Sequence, residues 1–543
     1  KDIHGHALMH IKSNIEGTKQ NQLFFYMEDS TRPLLSDSNL SESKLPPPKS
    51  LDETIEQCIG NFGWAQFLQT ALISFAWVFD AQQTFITVFT DSQPTWHCVD
   101  SGGANSVCNL SSNLCTLPNQ TWSWDFNPHV SIVSEWGLQC AGSFVNGLPA
   151  SSFFLGCLIG GLVLSTLADS SLGRKNMLLL SCLIMSLSSM LTAFSTSIWV
   201  YAFLRFVNGC GRATVGTCAL VLSTELVGKK WRGQVGAMGF FCFALGFLSL
   251  PMLGYINNGN SWRYIYVWTS IPTLIYCLVV WFFVRESPRW LIVKGRKEEA
   301  VSTLQSISSN KITMSFSNLC FDVKENGSNS NPDVYDALKI LVRKRWSLWR
   351  LLTVMAVGFG IGMAYYGMPL ALANLNFNLY LGVVLNALSE FPAFLITFFF
   401  FDKINRRVAL IGFTALSGIS SVLVAALGQQ IGSLQIVLEL VSFFSTCTAF
   451  NMTLIYTIEL FPTCVRNSAM AMVRQAFVFG GVFSPVMVAA GRENQFWSYG
   501  LFGLVIGLFG LFVVGLPETR GSVLCDTMDE EEYKNLTKEQ IIG

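Results

Sequence analysis

The chain has 543 residues, of which 51% are apolar and 13% charged, with no net formal charge and a mean hydropathy of +0.43. A soluble chain of this length would form several domains, but this composition asks for a lipid solvent instead. Electroneutrality gives nucleic acid no handle. The lack of a G-x4-GK[ST] loop and of paired Cys/His spacing removes the simple ATPase and metalloenzyme readings, so no cofactor and no metal are expected.

Residues 1–26 are polar, aperiodic and unlike a signal peptide; Met27 is the first sensible start, and the stretch before it reads as an over-extended gene model. All of 1–66 is expected to be a disordered cytosolic tail, Ser/Pro-rich around Pro46–Pro48. Within it, Leu34 and Leu35 follow Asp29 in the manner of acidic dileucine sorting signals, which favours a vacuolar membrane, with the plasma membrane as the alternative.

Apolar windows long enough to cross about 30 Å of hydrocarbon fall at 67–89, 144–168, 176–196, 199–222, 234–256, 263–284, 350–373, 378–401, 408–428, 431–458, 468–490 and 497–516. The expected fold is therefore an all-α membrane protein of twelve transmembrane helices. An N-terminal six-helix half (67–284) and a C-terminal one (350–516) are separated by a central cytosolic loop (285–349) and followed by a cytosolic tail (517–543). Loop 91–143 lacks Lys and Arg, whereas Arg174, Lys175, Lys229, Lys230, Arg232, Lys403, Arg406, Arg407 and Arg466 crowd the alternate loops, so both termini are expected on the cytosolic side.

Loop 91–143 carries Cys98, Cys108, Cys115 and Cys140 with glycosylation acceptors at Asn109 and Asn119, which predicts a disulfide-bonded, glycosylated cap facing an oxidising lumen. Three pairings of these cysteines are open. In the central loop, Ala300, Leu304 and Ile307 give residues 296–308 amphipathic helical spacing, so short interfacial helices are expected there, with disorder around 324–331.

The chain repeats itself. Leu222–Arg232 (LSTELVGKKWR) returns as Tyr456–Arg466 (YTIELFPTCVR), and Asp169, Glu225 and Glu286 recur at a nearly constant separation as Asp402, Glu459 and Glu518. Duplicated halves with acids and bases where apolar segments end point to a transporter whose halves rock about a central site. The acids Asp169, Glu225, Glu286, Asp402, Glu459 and Glu518 are expected to pair with Arg174, Arg232, Arg289, Arg406, Arg466 and Arg520 as a gating network when the cytosolic side is shut. Each exposed pair contributes at most about 1 kcal/mol, so only the network could bias a conformation. The competing reading is positive-inside topology with helix capping.

Six charges fall well inside predicted helices: Asp80, Glu390 and Glu439 against Arg205, Arg212 and Arg474. Unpaired, they would cost on the order of 15 to 20 kcal/mol, so they must pair or line water. Aromatic faces such as Tyr365 and Tyr366 can attract a quaternary ammonium by about 0.5 to 2 kcal/mol.

These motifs resemble a known family. Asp169–Lys175 (DSSLGRK) and Asp402–Arg407 (DKINRR) resemble the loop signature of the major facilitator superfamily, with one extra residue in the first copy and Asn405 where Gly is usual in the second. Glu286–Leu291 (ESPRWL), Pro517–Gly521 (PETRG), Ser389–Pro392 (SEFP), Tyr365–Gly367 (YYG) and Ser134–Trp136 (SEW) are similar to those of organic cation, carnitine and organic anion transporters, most of all the plant organic cation/carnitine transporters. The resemblance implies a secondary transporter, not an enzyme, that moves organic cations and carnitine-like zwitterions by alternating access. It places Glu390 at the positive part of the substrate, with Tyr365, Tyr366, Phe154, Phe450 and Asn451 lining the cavity. Where relatives carry Asp or Arg in the eleventh helix this chain has Val478, which leaves Arg474, one turn earlier, as the candidate for a substrate carboxylate or for a pair with Glu439 or Asp80. Asp80 and Arg205 resemble the proton-coupling Asp and Arg of sugar porters, so protons are a second expected partner besides the small-molecule cation. An organic anion or sugar carrier on this fold, and a non-transporting receptor, remain as alternatives.

Overall fold

The computed structural model describes residues 55–56, 59–99, 114–118, 121–167, 172–308, 334–400, 403–427, 432–521 and 525–534. Asp169, Asp402, Cys108, Asn109, Asn119, the dileucine pair and residues 324–331 lie outside them.

Among the described residues, twelve helices, two of them interrupted, build the bundle. Helix α1 spans Trp64–Thr90 with short interruptions at Phe75 and Ile86; α2 is Ser143–Leu167, α3 Arg174–Thr192, and α4 runs Ile198–Arg212 and resumes as Val215–Glu225. Helices α5 (Arg232–Ile256) and α6 (Arg263–Phe283) complete the first half; α7 (Arg345–Ala371), α8 (Leu379–Phe400), α9 (Arg406–Leu427), α10 (Gly432–Leu460), α11 (Arg466–Ala490) and α12 (Tyr499–Leu511) form the second. Taken with the short turns that join or extend them, eleven are long and apolar enough to cross a bilayer. The exception is α4, which the hydropathy window treated as continuous. It breaks at Ala213 and Thr214, where the Thr214 hydroxyl lies 2.6 Å from that of Ser181 on α3.

Large apolar side chains ring the outside of the bundle, among them Trp199, Phe203, Phe282, Val408 and Leu508, each more than 60% exposed. A soluble monomer does not present such a belt; a lipid-facing surface does.

One end of the bundle carries the cap. A two-stranded hairpin pairs β1 (Trp96–Cys98) with β2 (Trp122–Trp124), Cys115 is joined to Cys140, and Cys98 is also disulfide-bonded. Ser134–Trp136 fastens the cap to the helices. The Glu135 carboxylate accepts from Trp262 Nε1 at 2.7 Å and pairs with Arg263, while the Trp136 ring packs edge-on against Tyr201 and Trp262.

The opposite end carries Glu225, Glu286, Glu459 and Glu518. There the tail expected to be disordered up to residue 66 is partly packed: Ile55 and Ile59 are buried, and α1 already begins at Trp64. They share an apolar cluster with Ala300, Leu304 and Ile307 of the helix Lys297–Ile307, so the apolar stripe of that helix covers protein. The C-terminal segment also docks, through Lys344 to Asp529 and Glu532 and through Arg350 to Glu531 at the base of α7.

Candidate functional site

At the acidic end the two halves repeat one construction. The Glu286 carboxylate accepts from the backbone N–H of Arg174 and Lys175 at 3.0 to 3.1 Å, capping the N-terminus of α3; Glu518 accepts from Arg406 and Arg407 at the same distances, capping α9. A carboxylate there satisfies orphan amides and meets the positive end of the helix dipole. Gly173 is required for this approach: its φ is +84°, and a Cβ on it would sit 2.4 Å from Glu286 Oε2. In the second copy Asn405 takes that place and accepts from Arg520 Nη1 at 3.1 Å.

A base in each half then reaches the next acid. Arg406 bonds Glu459 at 3.1 and 3.2 Å, and Arg174 lies 3.8 Å from Glu225. Arg466 Nε donates to the Phe461 carbonyl at 3.3 Å, while Arg232 and Arg289 line a small cavity with Glu225. The pairs Arg174 with Glu225 and Arg406 with Glu459 each lie within one half and fasten the helices of that half to one another.

The halves meet at the cap end as well as beside the chamber, where Phe240 stacks on Phe394 and Phe241 packs on Phe391. Arg492 Nη2 donates to the Asp91 carbonyl at 2.9 Å, Phe89 stacks on Tyr380 at 5.6 Å, Tyr255 meets the same ring edge-on, and Phe85 contacts Tyr365. Beneath this seal lies a chamber of about 520 Å³, within the range of small-molecule sites, adjoining a second lobe of about 180 Å³ with which it shares Trp77, Arg212, Phe240, Tyr366 and Phe450. Lining from Gln234, Thr217, Leu454 and Ala471 carries the cavity away from the cap.

The larger lobe holds Glu390, Tyr365, Tyr366, Phe450 and Asn451 together, five residues brought from α7, α8 and α10. Glu390 lies two residues before Pro392 within α8 and accepts from the Tyr365 hydroxyl at 2.7 Å. It has no cationic partner among the described residues. The Tyr365 ring is stacked on Phe450 at 4.8 Å and on Phe443 at 5.9 Å, so what it offers the chamber is its hydroxyl rather than a free face. Rings of Trp77, Phe240, Phe391 and Phe394 supply further aromatic wall.

The smaller lobe holds Asp80, Arg212, Arg474 and Val478. Here the sequence expectation needs correcting. Asp80 pairs with Arg212, at 2.5 and 3.3 Å, and not with Arg205. Arg205 is buried against the Phe153 ring and donates to the Gln83 carbonyl, outside both lobes. Arg474 has no carboxylate within ion-pair reach among the described residues, so neither Asp80 nor Glu439 is its partner. Glu439 is fully buried in the second half, accepting from Asn386 Nδ2 at 3.0 Å, away from the chamber. Phe154 is also corrected: it is buried behind the wall, with its ring 4.7 Å from that of Tyr366.

Arg212 and Trp77 were missed as site residues. Arg212 was signalled by its cost inside a helix; for Trp77, one of 15 tryptophans, no sequence signal separates it from lipid-facing rings.

Comparisons with known proteins agree with this architecture. The profile of the sugar (and other) transporter family matches residues 66–529. Organic cation/carnitine transporter 3 of Arabidopsis thaliana is 86% identical over 95% of this chain and all of its own length; organic cation/carnitine transporter 2 of the same plant is 67% identical over 94% and 98%. A human organic cation/carnitine transporter 2 is 31% identical over 75% of this chain and 73% of its own. Among solved structures, the inward-open xylose transporter XylE of E. coli superposes with a TM-score of 0.62 at 18% identity, over 84% of this chain and 98% of its own, which speaks for the fold alone. The chain belongs to the sugar (and other) transporter family and, within it, to the organic cation/carnitine transporters, multi-pass membrane proteins and not enzymes.

Proposed function

We propose that this protein moves organic cations and carnitine-like zwitterions across a membrane by alternating access. One observation carries the reading: among the described residues, a carboxylate without a cationic partner, Glu390, and a guanidinium without a carboxylate in ion-pair reach, Arg474, line adjoining lobes of one aromatic chamber. Aromatic rings and Glu390 hold the ammonium by cation–π and Coulomb attraction, and Arg474 receives a carboxylate where the substrate has one. The names of the relatives point to the same substrates.

With the Lys/Arg-rich end in the cytosol, the sealed cap end and the cavity running away from it correspond to an inward-facing arrangement. Asp80 with Arg212, rather than with Arg205, is the coupling candidate: it lines the chamber, where a proton and the Arg212 guanidinium can compete for the Asp80 carboxylate. At a plasma membrane about 2.3 kcal/mol per charge per 100 mV draws a cation inward without a proton. Loading an acidic vacuole needs proton exchange, and the tail sequence around Leu34 favours that membrane.

The test is uptake into proteoliposomes. Radiolabelled carnitine should accumulate and be competed by tetraethylammonium, and not by an aryl carboxylate. A second reading, an organic anion carrier, is favoured by Arg474 and by the uncharged Val478; competition by the aryl anion alone would replace the first reading with it.

A further inference from the structure

The cap-end seal contains an acid and a base that the transport reading does not use. Asp91 follows the last residue of α1 in the first half, and Arg492 follows α11 in the second. Both line a small cavity between the halves, with Asn146, Ser92 and Asn374. Arg492 Nη2 reaches the Asp91 carbonyl at 2.9 Å, yet the Asp91 carboxylate is not matched to it. Oδ1 accepts from the Thr90 hydroxyl and from the Tyr201 hydroxyl, each at 2.7 Å, and Tyr201 is in turn 2.7 Å from the Tyr266 hydroxyl. Asp91 Oδ2, Asn146 Oδ1 and Arg492 Nη1 have no hydrogen-bond partner among the described residues although all three are buried. Closing this end thus leaves an acid and a base facing one cavity with a bond still unmade.

We propose that Asp91 and Arg492 are the cap-end gate, and that a proton taken from the cap-side solution by the Asp91 carboxyl group determines how readily that gate closes. The inference rests on the alternating-access reading and adds a residue pair and a ligand to it. The groups facing Asp91 are Thr90 on its own helix, Tyr201 and Arg205 from α4, Tyr266 behind Tyr201 on α6, and Arg492 across the interface. Burial in the closed seal pushes the carboxyl up from an ordinary 3.8 to about 6, against the lowering by Thr90, Tyr201, Arg205 and Arg492. Burial also lowers Arg492, opposed by the charge of Asp91.

The sign follows from linkage. A proton binds more tightly to the closed seal than to an opened one, where water returns the carboxyl to its ordinary range, so acid on the cap side favours closure. Above about pH 6 the closed seal must hold an ionised, half-satisfied carboxylate, and opening becomes easier. Between pH 5 and pH 7 the closed-to-open ratio falls about tenfold.

The experiment uses full-length protein in liposomes with Val88→Cys as a reporter, since Val88 lines the gate cavity and is only 2% exposed. A membrane-impermeant maleimide is applied from the cap side, and its rate is divided by that at Phe126→Cys, an exposed cap position, to cancel thiol ionisation. The ratio should rise about tenfold from pH 5 to pH 7. In the Asp91→Asn background it should stay low and flat, Asp91→Glu should restore the rise, and Arg492→Gln should move its midpoint upward. A flat ratio with Asp91 present, or an unchanged rise in Asp91→Asn, overturns the gate while leaving transport intact. A reporter that never reacts at any pH or substrate concentration overturns alternating access and the gate together.

Discussion

Glu390→Gln separates the substrate-recognition reading from a structural one, because the amide keeps the shape and still accepts from Tyr365 at the 2.7 Å position. What it removes is the charge. A unit charge about 4 Å from an ammonium is worth about 4 kcal/mol at an effective dielectric constant of 20. Part of that is offset because the empty chamber must hold an ionised carboxylate with no countercharge. A net loss of about 2 kcal/mol, or about 30-fold in apparent affinity, is expected for tetraethylammonium, while binding of an aryl carboxylate should hold or improve. The assay is the concentration dependence of uptake in proteoliposomes for one cation, one zwitterion and one anion, with Tyr365→Phe beside it. That variant breaks the hydrogen bond and keeps the stacked ring, so it should cost about 1 kcal/mol. Equal losses for cation and anion in Glu390→Gln, or a larger loss in Tyr365→Phe than in Glu390→Gln, would refute the reasoning.

Arg474→Gln should weaken carnitine by about tenfold and leave tetraethylammonium unchanged, since only the zwitterion carries a carboxylate for it; competition curves with the two ligands check this. Asp80→Asn strands the Arg212 guanidinium in the smaller lobe, so accumulation driven by a pH gradient should disappear while exchange down a cation gradient persists, as flux with voltage clamped would record. Gly173→Ala should destabilise the first half by about 2 kcal/mol or more, combining a positive φ with loss of the Glu286 cap on α3; a fall in Tm without a change in ligand rank order is the expected signature.

Much of the fold could be read from apolar windows because a bilayer leaves the backbone little choice. The repeated acids were readable as motifs, and the structure adds that two of them, Glu286 and Glu518, spend their oxygens on helix N-termini. The chamber was legible where a charge inside lipid demanded explanation, as with Glu390 and Arg474. It was less so where register decides. Arg205 and Arg212 lie about two turns apart on α4 and present the same face, so the sequence could not say which one the axial offset of α1 brings to Asp80. Stacking was equally hidden: that Tyr365 commits its ring to Phe450 and Phe443 follows from the approach of α7 and α10, which no spacing encodes. Nor does hydropathy reveal the break in α4, because Ala213 and Thr214 are tolerable inside a helix.

Phe154 belongs to one half and Tyr366 to the other, and Gly481 on α11 leaves room for both, since a Cβ there would fall 2.8 Å from one ring and 2.9 Å from the other. Parting the halves at the cap must therefore pull Tyr366 off the ring that props it, and the surface presented to cargo changes shape with the same motion that exposes it. The shape of the chamber wall is in that way tied to the opening of the cap through the contact of Phe154 with Tyr366.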